Sequence, residues 1–346
     1  GFIHQAGLVE FLSDEQRYLT YPARYREQVQ WSITGACNLC CRHCFMSAPH
    51  AKHGNPSHEQ LMDVVDQIAQ CGIFQVSLTG GEPLMRSDFF DIVNALTERE
   101  IGIPAIFTNG WLIDEQFLDE LQKRHLYPGF QLSFDGIGQH DFLRGVLGAE
   151  ERTLQALSLL QERGYRVNVS MCLHRANVDT LRESARLLAS LGVKALKCGT
   201  MMTLGEWAEP EVRDLWLTPE EEQEVFERYI PQYFEDGAPL SLMLGGAFIY
   251  NPGDDHWTIF HEKSCPVEME DSVPSCGVLT RNFYIGADGM VAPCMGMCDC
   301  DEASEFPSLY QVPLSEILQD SIYVQLSAAT VGEVREKSGV CRDCKF

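Results

Sequence analysis

The chain contains 346 residues, 45% of them hydrophobic and 22% charged, a composition typical of a soluble globular protein. Its 50 acidic residues outnumber the 26 basic ones and give a net charge of −24, so nucleic acid is not expected as a partner because its phosphates would be repelled. No apolar run reaches the roughly eighteen residues that a membrane-spanning helix needs, so no membrane association is expected.

The chain has 14 cysteines, which gather toward its two ends. No basic segment followed by an apolar core opens the sequence, so we expect no secretory signal and a cytoplasmic location. Disulfides are rare in that reducing compartment, and metal binding or catalysis explains so many cysteines better. Their two groups indicate two metal sites.

The middle of the chain alternates between two kinds of segment. Residues 1–28 lack periodicity and are predicted to form an N-terminal extension, whereas residues 29–237 alternate β-branched runs with amphipathic stretches. The predicted strands cover residues 29–34, 74–79, 104–108, 129–134, 166–171 and 195–198. Six such units predict an α/β fold, a partial (β/α)6 TIM-type barrel, whose chemistry should lie at the carboxyl ends of the strands.

Helix boundaries are marked by capping residues. Ser57 and Gln60 form the pattern of a capping box, and Asp114 precedes another apolar stripe. Thr218 precedes a proline at the first position of a sixth helix. Gly164 follows a leucine stripe where a left-handed residue ends a helix.

The alternation fades after residue 237, and residues 238–346 are predicted to form a small cysteine-rich α+β domain. Within it, the run from Ile285 to Cys294 contains Asp288-Gly289 and predicts a hairpin whose end carries a thiol.

Three cysteines in the first group have a distinctive spacing. Cys37, Cys41 and Cys44 follow the first predicted strand as C-x3-C-x2-C. Such a loop can turn three thiolates toward one iron–sulfur cubane and leave one iron without a protein ligand, as a reactive site requires. A zinc site is the alternative, although zinc sites usually have four ligands in paired C-x2-C units.

This spacing, with the aromatic His43 before the last cysteine, resembles the radical S-adenosylmethionine (AdoMet) superfamily. The resemblance is strengthened by Gly80-Gly81-Glu82-Pro83 after the second strand, which matches the segment with which that family binds the amino group of AdoMet. The glycines would let backbone carbonyls approach the ligand, and the carboxylate would complete the ammonium site. The family also implies a [4Fe–4S] cluster held by the three cysteines.

Further residues at the strand ends are expected to contact AdoMet. Asn109, Ser133 and Asp135 follow the third and fourth strands and are expected to meet the ribose hydroxyls. Arg144 is expected to pair with the AdoMet carboxylate, with a surface ion pair as the alternative. Ser170 on the fifth strand is expected to close over the adenosine.

The second cysteine group resembles a Twitch or SPASM domain. The resemblance implies one auxiliary [4Fe–4S] cluster, with a second only if the chain continues beyond Phe346, and a four-cysteine zinc site is the alternative. Its expected ligands are Cys276, Cys294, Cys341 and Cys344, with Cys298 and Cys300 as alternatives.

Two other cysteines are candidate catalytic residues. Cys172 and Cys198 lie near strand ends, where a thiol could donate a hydrogen atom to a substrate radical. Cys71 ends an amphipathic helix and is expected in the core.

The resemblance implies that one electron from the reduced cluster cleaves AdoMet and gives a 5′-deoxyadenosyl radical, which abstracts a substrate hydrogen. An external one-electron reductant of the flavodoxin or ferredoxin type would supply the electron. The expected function is crosslinking or epimerisation of a ribosomally made peptide. A dehydrogenase or epimerase of a small metabolite such as an aminosugar or polyol is the alternative, and a non-enzymatic iron–sulfur protein is a more distant one.

Overall fold

A computed structural model describes residues 28–50, 52–245, 248–253, 258–259, 282–298, 300–319 and 321–337. The predicted N-terminal extension lies outside these residues except for Gln28. Three of the four predicted auxiliary-cluster ligands, Cys276, Cys341 and Cys344, also lie outside the described residues. None of the described helices is both long enough and apolar enough to cross a bilayer.

The described strands form one sheet. They are β1 (Gln28–Ser32), β2 (Val76–Thr79), β3 (Ala105–Thr108), β4 (Gly129–Ser133), β5 (Val167–Cys172), β6 (Ala195–Gly199), β7 (Ser241–Leu244), β8 (Phe248–Tyr250), β9 (Thr258–Ile259), β10 (Asn282–Ile285) and β11 (Val291–Ala292). Strands β1 to β7 run parallel in chain order, with β10 parallel to β1 on the other edge. The six predicted strands agree with β1–β6 to within two residues.

Helices connect the parallel strands and cover one face of the sheet. They are α1 (His58–Gln70), α2 (Phe89–Glu98), α3 (Glu115–Lys123), α4 (His140–Arg144), α5 (Ala149–Glu162), α6 (Leu181–Ser190) and α7 (Pro219–Glu235), followed by α8 (Leu314–Ile317), α9 (Ile322–Ala328) and α10 (Val331–Lys337). Both predicted N-terminal signals at Ser57 and Thr218 are complete capping boxes. Gly164 has a φ of 79°, as predicted for a helix end.

The two faces of the sheet differ in chemistry. On the outer face, strand residues such as Val169 and Leu196 are buried in one apolar cluster with helix residues such as Leu157 and Tyr229. The alternate positions face inward and are mostly polar and only partly buried, for example Ser133 and the exposed Asn168. The sheet therefore surrounds a polar, open interior.

The C-terminal segment completes the edge of the sheet next to β1. Strand β10 pairs with β1 over Gln28–Trp31, and β10 and β11 form the predicted hairpin with Gly289 at a φ of 80°. On the other edge, β7 continues the parallel sheet past residue 237. The division into domains at residues 28 and 237 stays a prediction.

Candidate active site

The three cysteines lie in a loop after β1, at the carboxyl end of the sheet. Each of their sulfur atoms faces an N–H donor. Cys37 Sγ accepts a hydrogen bond from Leu39 N at 3.5 Å and Cys44 Sγ accepts one from Ala48 N at 3.3 Å. Arg144 Nη1 lies 3.6 Å from Cys41 Sγ. Donors of this kind stabilise thiolates and tune the potential of an iron–sulfur cluster, so this donor set fits a cubane.

The three thiols are also close enough to influence one another's ionisation. Burial raises the pKa of Cys37 to about 12, and the proximity of Cys41 and Cys44 adds to the increase. Among the described residues, no three His, Cys, Asp or Glu side chains converge closely enough for a single metal ion.

The segment Gly80–Pro83 docks on the start of the cysteine loop. Gly81 N donates to Thr34 O and Glu82 N donates to Ala36 O, both at 2.8 Å. A Cβ atom at Gly81 would lie 2.2 Å from Ala36 O, so only glycine permits this approach. The two motifs that carry the family resemblance are therefore in direct contact.

The carboxylate of Glu82 does not face the interior as expected. It is fully buried, and its oxygens accept hydrogen bonds from Leu84 N at 3.1 Å, Thr108 Oγ1 at 2.8 Å and Asn109 N at 2.8 Å. Burial raises its pKa to about 7 against the opposing effect of these donors. These hydrogen bonds tie β2 to β3, and the expected contact of this carboxylate with the ammonium of AdoMet stays a prediction.

A second buried network surrounds Asp135 and Arg144. Arg144 Nε donates to Asp135 Oδ2 at 2.7 Å, and Cys172 N donates to Asp135 Oδ1 at 3.0 Å. Burial alone would raise the pKa of Asp135, but the guanidinium of Arg144 and the imidazoles of His140 and His43 together outweigh it and hold that pKa well below its usual range. Asp135 is fully enclosed by these partners, and its expected contact with the ribose stays a prediction. The surface ion pair considered for Arg144 was also wrong, since its partner and most of its own side chain are buried.

Further contacts fix the position of the cysteine loop. Cys40 N donates to Arg144 O at 3.1 Å, and a Cβ at Gly145 would lie 2.3 Å from Cys40 O. Asn109 Nδ2 donates to Asn38 Oδ1 at 2.8 Å, so the side chain of Asn109 supports the loop in this structure. His43 is buried edge-on to the ring of Trp207, and burial lowers its pKa to about 3, which keeps the imidazole neutral.

The two candidate hydrogen-atom donors have different surroundings. Cys172 ends β5 beside Leu143 and Trp207, and burial raises its pKa, so it stays a neutral thiol near the cysteine loop. Cys198 is fully buried in the outer-face cluster that also contains Tyr229 of α7. The expectation that Cys198 donates a hydrogen atom to substrate was therefore wrong, because its position in the strand turns the thiol away from the interior.

Two of the described C-terminal cysteines, Cys298 and Cys300, belong to a cluster that packs against the cysteine loop. Cys294 precedes a short turn, and the buried Cys298 belongs to an apolar cluster with Met46 and Tyr284 that also contacts Cys44. Cys294 is the only one of the four expected auxiliary ligands that the described residues include, so that ligand set stays a prediction.

Sequence reasoning missed two residues of this site. Asn38 connects the loop to Asn109, and no pattern marks it. Lys197 lies on the inner face of β6 and is exposed. Its signal was present as a lone charge inside the predicted strand Ala195–Cys198.

Comparison with protein families shows the class of protein that this fold and site define. The sequence model of the Radical SAM superfamily matches residues 31–188, and that of the SPASM iron–sulfur cluster-binding domain matches residues 276–345. The chain belongs to the radical SAM superfamily and carries a SPASM domain at its C-terminal end. A radical SAM domain uses a [4Fe–4S] cluster and AdoMet, and a SPASM domain binds auxiliary iron–sulfur.

Individual proteins similar to the chain include peptide-modifying enzymes and AdoMet-dependent haem synthases. The mycofactocin maturase of Mycolicibacterium smegmatis is 33% identical over 199 residues, covering 56% of this chain and 48% of the relative. The PqqA peptide cyclase of Granulibacter bethesdensis is 24% identical, covering 82% of this chain and 71% of the relative. The chain spans about half the length of the mycofactocin maturase that it matches.

Solved structures confirm the fold. The crystal structure of Streptococcus suis SuiB bound to the precursor peptide SuiA superimposes with a TM-score of 0.69 at 14% identity, covering 99% of this chain and 79% of SuiB. The predicted α/β class and partial TIM-type barrel are therefore confirmed.

Proposed function

We propose that this protein cleaves AdoMet reductively and uses the resulting radical to modify a ribosomally made peptide, by forming a crosslink or inverting a stereocentre. The observation that carries the proposal is the position of Cys37, Cys41 and Cys44 in one loop that contacts Gly80–Pro83 at the carboxyl end of the sheet. The similarity to a maturase and to a peptide cyclase favours a peptide as the substrate.

Each group at this edge has a separate task in the proposal. The three cysteines would hold the cluster, and the carbonyls of Gly80 and Gly81 would receive the amino group of AdoMet. Ser133, at the end of β4, would contact the ribose. When bound, the reduced cluster supplies the electron that cleaves AdoMet to the 5′-deoxyadenosyl radical.

Buried charge contributes by fixing these groups in place. Arg144 is oriented by Asp135, so its guanidinium stays beside Cys41 without rearrangement when a cluster and an anionic carboxylate bind. Cys172 would offer a neutral S–H to a substrate radical, since its raised pKa keeps the proton on sulfur.

The proposal is tested with anaerobically reconstituted, reduced protein and AdoMet. We expect 5′-deoxyadenosine to form, and we expect a precursor peptide, sought among the short reading frames beside the gene, to change in mass or in stereochemistry, measured by mass spectrometry and chiral amino-acid analysis. The control omits AdoMet. Formation of 5′-deoxyadenosine with an unmodified peptide would contradict the peptide substrate and favour the small-metabolite alternative. Absence of 5′-deoxyadenosine would contradict the whole proposal.

A further inference from the structure

Among the described strands, one residue on the inner face of the sheet is charged. In the described strands every residue is uncharged except Lys197, the third residue of β6. Its neighbours in the same strand, Leu196 and Cys198, are buried in the outer-face cluster. Strand alternation therefore directs Lys197 to the inner face, where the structure leaves it exposed.

The cation lies on an ordered row of side chains across three strands. Lys197 is in register with Ser170 of β5 on one side and with Met243 of β7 on the other. Side chains at paired positions of adjacent strands point to the same face, about 5 Å apart. Ser170 Oγ accepts a hydrogen bond from Gln131 Nε2 at 2.9 Å, so its own hydroxyl proton can be donated elsewhere.

No carboxylate of the chain neutralises this ammonium within the described residues. The described ion pairs of the chain lie on helices and loops, and none includes Lys197. Because Lys197 is exposed and the described residues give it no ion-pair partner, its ammonium is available to an anion that enters the interior.

The location of Lys197 separates it from the groups expected to bind AdoMet. The cysteine loop, Gly80–Pro83 and Arg144 follow β1, β2 and β4, whereas β6 is five strands away from β1. Lys197 is nevertheless paired in register with Ser170, and Ser170 is paired with Ser133. The side chain of Lys197 therefore faces the same interior as Ser133.

We propose that Lys197, together with the hydroxyl of Ser170, binds a carboxylate group of the substrate. An ammonium and a hydroxyl at adjacent positions provide two donors for the two oxygens of a carboxylate, and Met243 provides an apolar surface beside it. The substrate class is therefore a molecule with a carboxylate near its reacting carbon, such as a peptide with an acidic side chain or a free C-terminus. The identity of that molecule as substrate rests on the proposed function, whereas binding at Lys197 does not.

The test measures binding of a small probe to the reconstituted protein with AdoMet. The probe is N-acetylglutamate α-amide, and its neutral counterpart is N-acetylglutamine α-amide, both titrated with NMR or calorimetric detection. We expect the wild type and Lys197→Arg to prefer the carboxylate probe, and Lys197→Met to bind it about ten-fold or more weakly, since a charged hydrogen bond contributes about 1.5–3 kcal/mol. Lys194→Met is the matched control. Lys194 is also exposed, but it lies just before β6 begins and outside the row formed by Ser170, Lys197 and Met243.

The possible results distinguish this inference from the proposed function. Equal binding of the carboxylate probe by Lys197→Met and wild type would overturn the inference, and so would a wild type that does not prefer the carboxylate over the amide. A ten-fold loss of AdoMet affinity in Lys197→Met would also overturn it, because the lysine would then serve the cofactor. Failure to form 5′-deoxyadenosine or to modify a peptide would leave the binding result unchanged and contradict only the proposed function.

Discussion

Polar side chains in the two halves of the sheet differ in burial and in hydrogen bonding. At the ends of β1–β4, polar groups are buried and fully engaged, as Glu82 with three donors and Asp135 with Arg144 show. On the inner face of β5–β7, Asn168 and Lys197 are exposed. A site for one invariant cofactor benefits from such fixed groups, whereas a substrate site needs groups that are free to pair with an incoming ligand. We therefore propose that the first half, at the ends of β1–β4, binds AdoMet and that the second half, on the inner face of β5–β7, binds substrate.

The largest effect should follow from removing a ligand in the first half. In Cys41→Ala only two of the three expected cluster ligands, Cys37 and Cys44, remain, and two thiolates cannot hold a cubane with one open iron, so we expect 5′-deoxyadenosine formation to fall to background. Cys40→Ala is the matched control, because Cys40 lies in the same loop but is exposed and lies outside the C-x3-C-x2-C set. Normal yield from reduced Cys41→Ala would remove the assignment of the cluster to this loop.

A second large effect should separate AdoMet cleavage from product formation. Replacing Cys341 and Cys344 together by alanine should lower the iron content from about eight to about four per chain, as expected for the loss of one cubane. We expect part of the 5′-deoxyadenosine yield to remain while product is lost, because the auxiliary cluster should serve the substrate. Iron analysis and both products are measured side by side, and full product formation would show that these cysteines are not needed for turnover.

The buried pair in the first half should dominate local stability. Asp135→Asn leaves the guanidinium of Arg144 buried without its charge partner, which should lower the free energy of unfolding by about 3–5 kcal/mol. Asp119→Asn, which removes an exposed partner of Arg163, should cost about 1 kcal/mol or less. Denaturant unfolding of the two variants measures the difference.

The pH dependence of this effect has a definite sign. The folded pKa of Asp135 is depressed, so its contribution is present above the unfolded pKa and is lost only as pH falls through the folded value. The cost of Asp135→Asn should therefore be constant between about pH 5 and pH 8. A cost that changes across that window, or one as small as that of Asp119→Asn, would contradict the buried pair.

The smallest effect should come from Glu82 and should have the opposite sign with pH. Its folded pKa of about 7 lies above the unfolded value, so the folded state holds more protons between about pH 4.5 and pH 7. The stability of the wild type relative to the non-titrating Glu82→Gln should thus fall by an amount on the order of 1–3 kcal/mol as pH rises through that window. A flat difference in melting temperature between the two proteins would show that the three donors keep the carboxylate ionised throughout.

The sequence predicts the features that depend on local patterns better than those that depend on contacts between distant segments. Strand periodicity, the caps at Ser57 and Thr218 and the C-x3-C-x2-C spacing are local patterns, and the structure agrees with them closely. The partners of Asp135 and Glu82 come from other strands and loops, so no local pattern indicates that their carboxylates are enclosed. Both residues were expected to face the ligand.

The positions of the two candidate catalytic cysteines show the same limit. Cys172 and Cys198 both lie near strand ends in the sequence, yet one belongs to the cluster beside the cysteine loop and the other to the outer-face core. Which face a strand residue occupies depends on the register of the whole strand, and one position decides it. The same register directs Lys197 inward, which a count of alternation from Leu196 would have revealed.

The most direct test is a crystal structure of the reconstituted protein with AdoMet and an anomalous difference map for iron. We predict one cluster against Cys37, Cys41 and Cys44, with AdoMet over the ends of β1–β4 and no contact between AdoMet and Lys197. A second iron site beside Cys294 is expected in the same map. AdoMet lying over β5–β7 with its carboxylate on Lys197 would contradict the assignment of the two halves.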